Sequence, residues 1–203
     1  MLEEIFLNLL RKYTREEDLI SEFWNEIHKN YTAKNRHYHN LDHLKNMTTE
    51  LEDVKTMVKD LDTLLFSIFY HDVIYKATKS DNEHKSAIFF KNRISQTNFQ
   101  NIDKCVQQIE ATKEHKLSKY SDTNILIDLD LSILGQDART YQNYCQNIRK
   151  EYHLYPNIIY NRGRKKALVH FFNSDSIFKT THFREKYETK AQENLIAEIN
   201  QLS

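Results

Sequence analysis

The sequence predicts an all-α protein built as one helical bundle, and three observations lead to that expectation. Its 203 residues include only two glycines and one proline, so few residues suit hairpin turns or flexible linkers. Apolar residues recur mostly three and four positions apart, as they do on one face of a helix. A chain of this length can bury a single large core. No repeat or linker divides the sequence, so one domain over residues 1–203 is expected.

Polar capping residues divide the first half of the chain into helices. Residues 14–17 read Thr-Arg-Glu-Glu, a capping box that predicts the start of a second helix after a first over residues 2–13. A third helix is predicted over residues 40–57. Asp60 is a candidate N-cap for a fourth helix that carries the chain to Asp72. Residues 80–83, Ser-Asp-Asn-Glu, form a second capping box and open a fifth helix that reaches residue 94.

The second half of the chain predicts five more helices, one of which is ambiguous. Residues 125–134 alternate apolar and polar side chains, as a strand would. A helix is predicted there because no second strand pattern exists to pair with it. The other four helices are predicted over residues 102–114, 138–155, 157–173 and 183–202.

Composition excludes several kinds of partner and site. The 29 basic residues balance the 29 acidic ones, so no net charge attracts the chain to nucleic acid or to acidic membranes. Cys105 and Cys145 lie far apart, which argues against a disulfide framework or a structural zinc finger. The strongest apolar run, residues 64–70, is too short to span a bilayer, and the acidic N-terminal segment does not resemble a signal peptide. A cytoplasmic location is therefore expected.

Histidines and aspartates occur in three separated segments that together could surround one cation. The segments are HYHNLDH at residues 37–43, FYHD at 69–72 and IDLDLS at 127–132. Carboxylates stand among or just after apolar residues in the last two, where an unpaired charge would be costly to bury. Imidazole mixed with carboxylate oxygen suits a five- or six-coordinate divalent ion. We therefore expect one or two ions per chain, drawn from Mn, Mg, Fe, Co, Ni or Zn.

The spacing of these residues allows them to meet between neighbouring helices. His39 and His43 are four residues apart, which on a helix would place them on one face. The separation of His43 and His71 corresponds to one helix, a turn and most of the next helix, so antiparallel neighbours could bring both imidazoles to the same end. Asp128 and Asp130 both stand among apolar residues. A structural ion pair with lysine or arginine is the alternative to metal binding for either carboxylate.

The ordered set of His, His-Asp and Asp resembles the HD-domain superfamily of metal-dependent phosphohydrolases. The segments that carry a closer resemblance, to a bacterial branch of small predicted HD phosphohydrolases, run over nearly the whole chain: YHNLDHL, HDVIY, DNEHKSA, IEATKEH, DLDLSILG, IRKEYHLYP and GRKKAL. The segments YHN, ATKEH and Asp-Leu-Ser at residues 130–132 are also similar to parts of cyclic-nucleotide phosphodiesterase catalytic domains. The resemblance implies a helical bundle with a metal site between its central helices.

The resemblance also implies roles for individual residues. His39 would be the general acid, and His115 would belong to the wall of the site. The implied metal ligands are His43, His71, Asp72 and Asp130. The Asp-Leu-Ser segment favours Asp130 over Asp128 as the fourth ligand, and the remaining aspartate would orient the nucleophile.

One departure from the family pattern leaves the substrate open. Tyr75 stands three residues after Asp72, where HD 5′-nucleotidases carry a catalytic glutamate and the phosphodiesterases carry a histidine. Neither of these specific activities therefore transfers to the chain. Glu83 could replace the missing glutamate, although its place in the predicted capping box also gives it a structural explanation.

A basic cluster beside the second glycine offers candidate phosphate-binding residues. Arg162, Arg164 and Lys165 could neutralise phosphate oxygens. The alternative is a solvated turn and the first exposed face of a helix. The same cluster is too short to serve as a nucleic-acid-binding stripe, so nucleic acid is not an expected partner.

Two functions from different classes remain open on the sequence. The first is a metal-dependent phosphohydrolase that cleaves a small phosphate ester or anhydride by metal-activated water, with a nucleotide as the leading substrate. The second is a metal-holding sensor or interaction module that binds a nucleotide without turnover. His39 favours the enzyme, because a sensor needs no proton donor beside the ligands. No membrane partner is expected, and a homodimer stays an open alternative.

Overall fold

Every regular element that the computed structural model describes, over residues 1–202, is helical. In chain order the helices are α1 (Leu2–Leu10), α2 (Glu17–Tyr31), α3 (Leu41–Val54), α4 (Leu61–Tyr70), α5 (Asn82–Ile94), α6 (Ile102–Ala111), α7 (Ser121–Leu131), α8 (Ala138–Glu151), α9 (Asn157–Phe172) and α10 (Thr181–Gln201). Single 3₁₀ turns follow α3 at Lys55–Met57 and α7 at Ser132–Gly135. The predicted all-α fold is confirmed, and the strand alternative for residues 125–134 is wrong because that segment lies within α7 and the turn after it.

The predicted N-cap at Asp60 forms, and Asn40 caps α3 in the same way. The Asn40 side chain accepts a hydrogen bond from the backbone N–H of Asp42 at 2.9 Å. The Asp60 carboxylate accepts one from the backbone N–H of Thr63 at 3.1 Å and another from the hydroxyl of the same residue at 2.6 Å. Each satisfies a backbone donor that the first helical turn leaves unpaired. These caps fix the starts of α3 and α4. Helix α3 begins inside the first histidine segment, and α4 leads to the second.

The two predicted capping boxes do not form, because each helix begins later than the box requires. Glu16 is the N-cap of α2, and the Thr14 hydroxyl accepts a hydrogen bond from the Glu16 N–H at 3.2 Å instead. Asp81 is the N-cap of α5 and makes no side-chain capping bond. Glu83 is therefore the second residue of α5 and not the third position of a box that starts at Ser80. The capping explanation for Glu83 is thus removed.

Helices α4 and α7 form the centre of the bundle. Helix α4 packs against α1, α3, α5, α6 and α7, and α7 also packs against α3. Both central helices have buried residues around most of their circumference. In α7 these buried residues include polar side chains such as Asp122 and Asp128, which must find partners inside the bundle.

No helix in residues 1–202 has the length and apolar character that a membrane crossing would require.

Gly135 packs directly against Tyr187 of α10. A Cβ atom at position 135 would lie 2.8 Å from the Cγ of the Tyr187 ring, well inside van der Waals contact. We expect Gly135→Ala to lower the free energy of unfolding by about 1–3 kcal/mol, measured by denaturant titration. The matched control is Gly163→Ala in α9, where an added Cβ meets nothing within 4 Å. That variant should gain about 0.5–1 kcal/mol, because alanine favours a helix interior over glycine. Equal stability of the two variants would contradict the close packing.

Candidate metal centre

The four predicted metal ligands lie where α3, α4 and α7 pack together. His43 lies in the first turn of α3, and Asp130 lies in the last turn of α7. His71 and Asp72 stand in the turn directly after α4, not on the helix itself as the sequence predicted. Their position at a helix end still brings both side chains to the same end of the bundle as His43.

The donor atoms of this cluster are separated by distances typical of ligands around one ion. His43 Nε2 lies 3.2 Å from His71 Nε2 and 3.3 Å from Asp130 Oδ1. His71 Nε2 lies 3.3 Å from Asp72 Oδ2 and 3.8 Å from Asp130 Oδ1. Ligands at right angles on an ion, each at its usual bond length, are about 3 Å apart. Of the four, His43, His71 and Asp72 form a group whose donor atoms all lie within 4.8 Å of one another and could hold a metal ion, and Asp130 approaches the two histidines without belonging to that group.

The hydrogen bonding of His71 shows that its Nε2 is available as a ligand. His71 Nδ1 lies 2.8 Å from the carbonyl oxygen of Ile68, which can only accept, so Nδ1 carries the hydrogen. In the neutral ring the Nε2 lone pair then points at His43 Nε2, with two carboxylates alongside. A cation between these atoms would accept both imidazole lone pairs and balance the charge of the two carboxylates. Burial opposes protonation, yet the charges of Asp72 and Asp130 raise the pKa of His71 to about 9. The chemistry of the donor set therefore fits a divalent cation.

The side chain of Arg36, which the sequence analysis missed, connects the segment that carries His39 to the turn that carries Asp72. Its guanidinium donates to the carbonyl oxygens of Asp72 at 2.6 Å, Val73 at 2.8 Å and His39 at 3.1 Å. The side chain is buried and packs over the Tyr31 ring at 4.9 Å. A planar fork with several donors can bridge separate backbone segments, whereas an ammonium group cannot match its geometry.

Arg36→Lys is expected to weaken metal binding although Arg36 touches none of the ligand atoms. Lysine retains the charge but cannot reach all three carbonyl groups, so the turn carrying Asp72 loses its fixed orientation. We expect a loss of about 2–3 kcal/mol in the free energy of unfolding and about 10- to 100-fold in metal affinity. Thermal unfolding and metal titration measure the two effects. Wild-type metal affinity in this variant would show that the clamp does not position the ligands.

His39 lies beside the cluster in the loop before α3. It therefore does not share a helical face with His43, although the four-residue spacing allowed that. It precedes Asn40, the N-cap of α3, and its ring centroid is 6.0 Å from that of His43. His39 Nε2 faces Asp72 Oδ2 at 3.9 Å. The other ring nitrogen, Nδ1, lies 2.7 Å from Glu151 Oε2. The ring also stacks on Tyr75, with centroids 4.1 Å apart. One face of this imidazole and its Nδ1 are therefore positioned by the fold, and its Nε2 is directed at Asp72.

Glu151 at the end of α8 is the second residue of the candidate site that the sequence analysis missed. Its Oε1 accepts hydrogen bonds from three consecutive backbone N–H groups, those of His37, Tyr38 and His39, at 2.8, 2.7 and 3.0 Å. The side chain is 0 % exposed. Burial raises the pKa of Glu151, but the bond to His39 and these N–H groups outweigh it, so the pKa lies below its ordinary value. The carboxylate thus fixes the loop before α3 and orients His39 at once.

The carboxylates of Asp72 and Glu151 also influence whether His39 is protonated. Burial alone lowers the pKa of its imidazole. The charge of Asp72 and the hydrogen bond to Glu151 outweigh burial, and the pKa of His39 lies above its ordinary value of 6.5. The structure therefore favours a protonated imidazole whose Nε2 side faces the cluster.

His115 and Glu83 both lie on the wall of the site, as the sequence predicted for His115. His115 Nε2 donates to Asp130 Oδ2 at 2.9 Å, which leaves Asp130 Oδ1 directed at His43. His115 adopts the left-handed backbone conformation, with φ of 49°, which few residues other than glycine accept without strain. Glu83 and His115 both line a cavity described below, and burial together with the charge of Asp72 raises the pKa of Glu83 above the ordinary value of 4.5.

Asp128 does not belong to the cluster, so its predicted catalytic role is not supported by its position. It is 0 % exposed, and its carboxylate accepts hydrogen bonds from the backbone N–H groups of Lys179 and Thr180 at 2.6 and 2.7 Å. The Thr180 hydroxyl donates to it as well, at 2.7 Å. Two residues along a helix point to nearly opposite sides, so Asp128 faces the start of α10 while Asp130 faces the histidines.

The predicted phosphate-binding cluster is also dispersed. Arg164 forms a bidentate salt bridge with Glu198, at 2.8 and 3.0 Å, and donates to the Tyr144 hydroxyl at 3.0 Å. Arg162 is exposed, and neither it nor Lys165 is among the residues that line the cavity described below. Of the three, Arg164 alone reaches the site, and its guanidinium is already held by a buried carboxylate.

A cavity of about 490 Å³ opens onto the cluster. Its lining includes His39, Asp72, Glu83, His115 and Asp130. A volume of this size is typical of sites for small organic ligands. The cluster thus stands where a bound molecule could meet both the donor atoms and His39.

Comparisons of the chain with protein-family models, curated proteins and solved structures find no match.

Proposed function

We propose that this chain is a metal-dependent phosphohydrolase of the HD type that cleaves a small phosphate ester, with a nucleotide as the leading substrate. The observation that carries the proposal is the buried His43, His71, Asp72 and Asp130 cluster, which opens onto a cavity beside His39. A divalent cation held by these side chains would lower the pKa of bound water toward neutrality and polarise a phosphoryl oxygen. The resemblance in sequence points to the same chemistry.

In this proposal His39 donates a proton to the leaving oxygen. Its pKa is raised by Asp72 and Glu151 in spite of burial, and its Nε2 side faces the cluster. Glu151 holds Nδ1 and leaves Nε2 as the atom from which a proton can be transferred. A residue that only sensed a ligand would not need this second carboxylate behind the imidazole.

Two further side chains would support the reaction from the wall. His115 keeps Asp130 in a single orientation by holding Oδ2, so that Oδ1 remains directed at the histidines. Glu83 could accept a proton from the attacking water, because burial raises its pKa and it faces the same cavity. In this arrangement the acid, His39, and the base, Glu83, are separate residues.

The test is a substrate screen of the purified full chain, stripped of metal and then supplied with Mn²⁺, Mg²⁺, Co²⁺ or Zn²⁺. The compounds are nucleoside phosphates, cyclic nucleotides, pyrophosphate and synthetic phosphate esters. We expect phosphate release only with metal, and no release by His71→Ala under the same conditions. Metal and nucleotide binding without turnover of any compound would instead favour the sensor.

A further inference from the structure

We propose that the cavity selects a substrate in which a single phosphate is attached to a flat aromatic group. The proposal rests on the proposed phosphohydrolase function and names its substrate class. It follows from how rings and charges are distributed around the cavity. It favours phosphate esters over phosphate anhydrides, a choice that the sequence left open.

The lining of the cavity combines two chemically different groups of residues. One group is the catalytic cluster with its neighbours. The other comes from α8, α9 and the turn between them, and it is dominated by aromatic and aliphatic side chains. Its large aromatic and aliphatic members are Tyr144, Ile148, Tyr152, Tyr155, Ile159 and Tyr160, and Gly163, Arg164 and Ala167 complete it. Tyr75, which stacks on His39, extends the aromatic lining up to the proposed proton donor.

The tyrosine rings form a connected surface on which a flat group can stack. The Tyr152 ring lies 6.0 Å from Tyr155 and 5.9 Å from Tyr160, in tilted arrangements. Tyr160 is fixed from the other side by the Arg149 guanidinium at 4.7 Å. Tyr155 is only partly buried, so part of its surface is available to a ligand. Rings held in this way offer large contact areas with little entropy left to lose on binding.

The charges in the lining argue against a polyphosphate. In residues 1–202 the lysines and arginines that line the cavity are Lys79 and Arg164, against the carboxylates Asp72, Glu83 and Asp130. Arg164 already donates to Glu198 through two nitrogens and to Tyr144 through the third. Lys79 would therefore be left to neutralise every phosphate beyond the one that reacts. Sites that accept triphosphates provide several cations for this purpose.

The first experiment compares matched substrates on the full chain with Mn²⁺. Benzyl phosphate and cyclohexylmethyl phosphate have similar size and the same kind of primary-alcohol leaving group, and only benzyl phosphate is flat and aromatic. We expect kcat/KM to be about tenfold higher for benzyl phosphate, carried mainly by KM. Adenosine monophosphate should likewise exceed adenosine triphosphate by at least about tenfold. Equal kcat/KM within either pair would overturn the proposal.

A binding experiment separates this proposal from the proposed function. Benzylphosphonate and cyclohexylmethylphosphonate carry a carbon–phosphorus bond that hydrolysis does not cleave, so calorimetry reports recognition alone. We expect benzylphosphonate to bind about tenfold more tightly to the wild type. Tyr155→Ala should remove this preference and Tyr155→Phe should retain it, because the ring remains.

The two proposals fail in different ways. A preference for benzylphosphonate without hydrolysis of any phosphate would overturn the phosphohydrolase and support the aromatic site. Hydrolysis of benzyl and cyclohexylmethyl phosphate with equal efficiency would support the phosphohydrolase and overturn the aromatic site. Retention of the preference in Tyr155→Ala would also overturn the assignment to the tyrosine surface.

Discussion

Asp72→Asn is expected to abolish metal binding and phosphate release together. Asp72 Oδ2 lies 3.3 Å from His71 Nε2, and its charge would, with that of Asp130, draw a cation to the buried cluster. Asparagine has the same shape but no charge, and its amide can donate to the Nε2 lone pair that would otherwise bind the ion. We expect metal content near zero by elemental analysis and a fall in turnover of at least about 10³-fold.

A surface carboxylate provides the control for this prediction. Asp103 is paired with Lys91, and its side chain is 84 % exposed. Asp103→Asn removes the same charge from the chain far from the cluster, so its metal content and activity should equal those of the wild type. Wild-type metal content in Asp72→Asn would show that Asp72 is not a ligand.

The fold was predictable because local sequence patterns indicate where most of the helices lie. Apolar periodicity and the predicted Asp60 cap placed α3 and α4 to within a few residues. Helix ends were less predictable. The helix predicted to reach Met57 loses its α-helical geometry after Val54 and continues as a 3₁₀ turn. The two capping boxes failed because the short motif does not show which of its residues becomes the N-cap.

The cluster was predictable because polar residues inside apolar segments are costly without a partner. That argument identified His71, Asp72 and Asp130, which the structure brings together with His43. The same argument could not separate Asp130 from Asp128, since both stand in one apolar segment. The difference depends on residues 179 and 180, directly before α10, whose backbone N–H groups donate to Asp128.

The two residues that were missed act through the backbone or through another side chain. Arg36 directly precedes the first histidine segment, but nothing local shows that its guanidinium reaches the carbonyl groups after α4. Glu151 left a weak signal. It follows Tyr141 and Ile148 on the buried face of α8, at spacings that a helix places on one side. A carboxylate on an apolar stripe indicates a buried partner, although the sequence does not say which one.

His39→Ala should leave metal content nearly unchanged while turnover falls by about 10²- to 10⁴-fold, the usual contribution of a positioned general acid. His39 Nε2 faces Asp72 at 3.9 Å, whereas the closest approaches among the proposed ligands are 3.2–3.3 Å. The loss should depend on the leaving group. Benzyl phosphate releases an alkoxide that needs a proton, whereas nitrophenyl phosphate releases a stable phenolate. Both compounds are aromatic, so the tyrosine surface should recognise them alike.

Glu151→Gln tests whether Glu151 acts through His39 or only holds the loop. The amide has one oxygen, and the three backbone N–H groups of residues 37–39 already require an acceptor at that position. The amide nitrogen would then face His39 Nδ1 and donate to it, which removes the support for a protonated ring. We expect turnover of benzyl phosphate to fall by about 10- to 100-fold and that of nitrophenyl phosphate to fall much less. An equal loss on both substrates would mean that Glu151 only holds the loop. For the other variant, loss of metal from His39→Ala would show that His39 is a metal ligand and not the general acid.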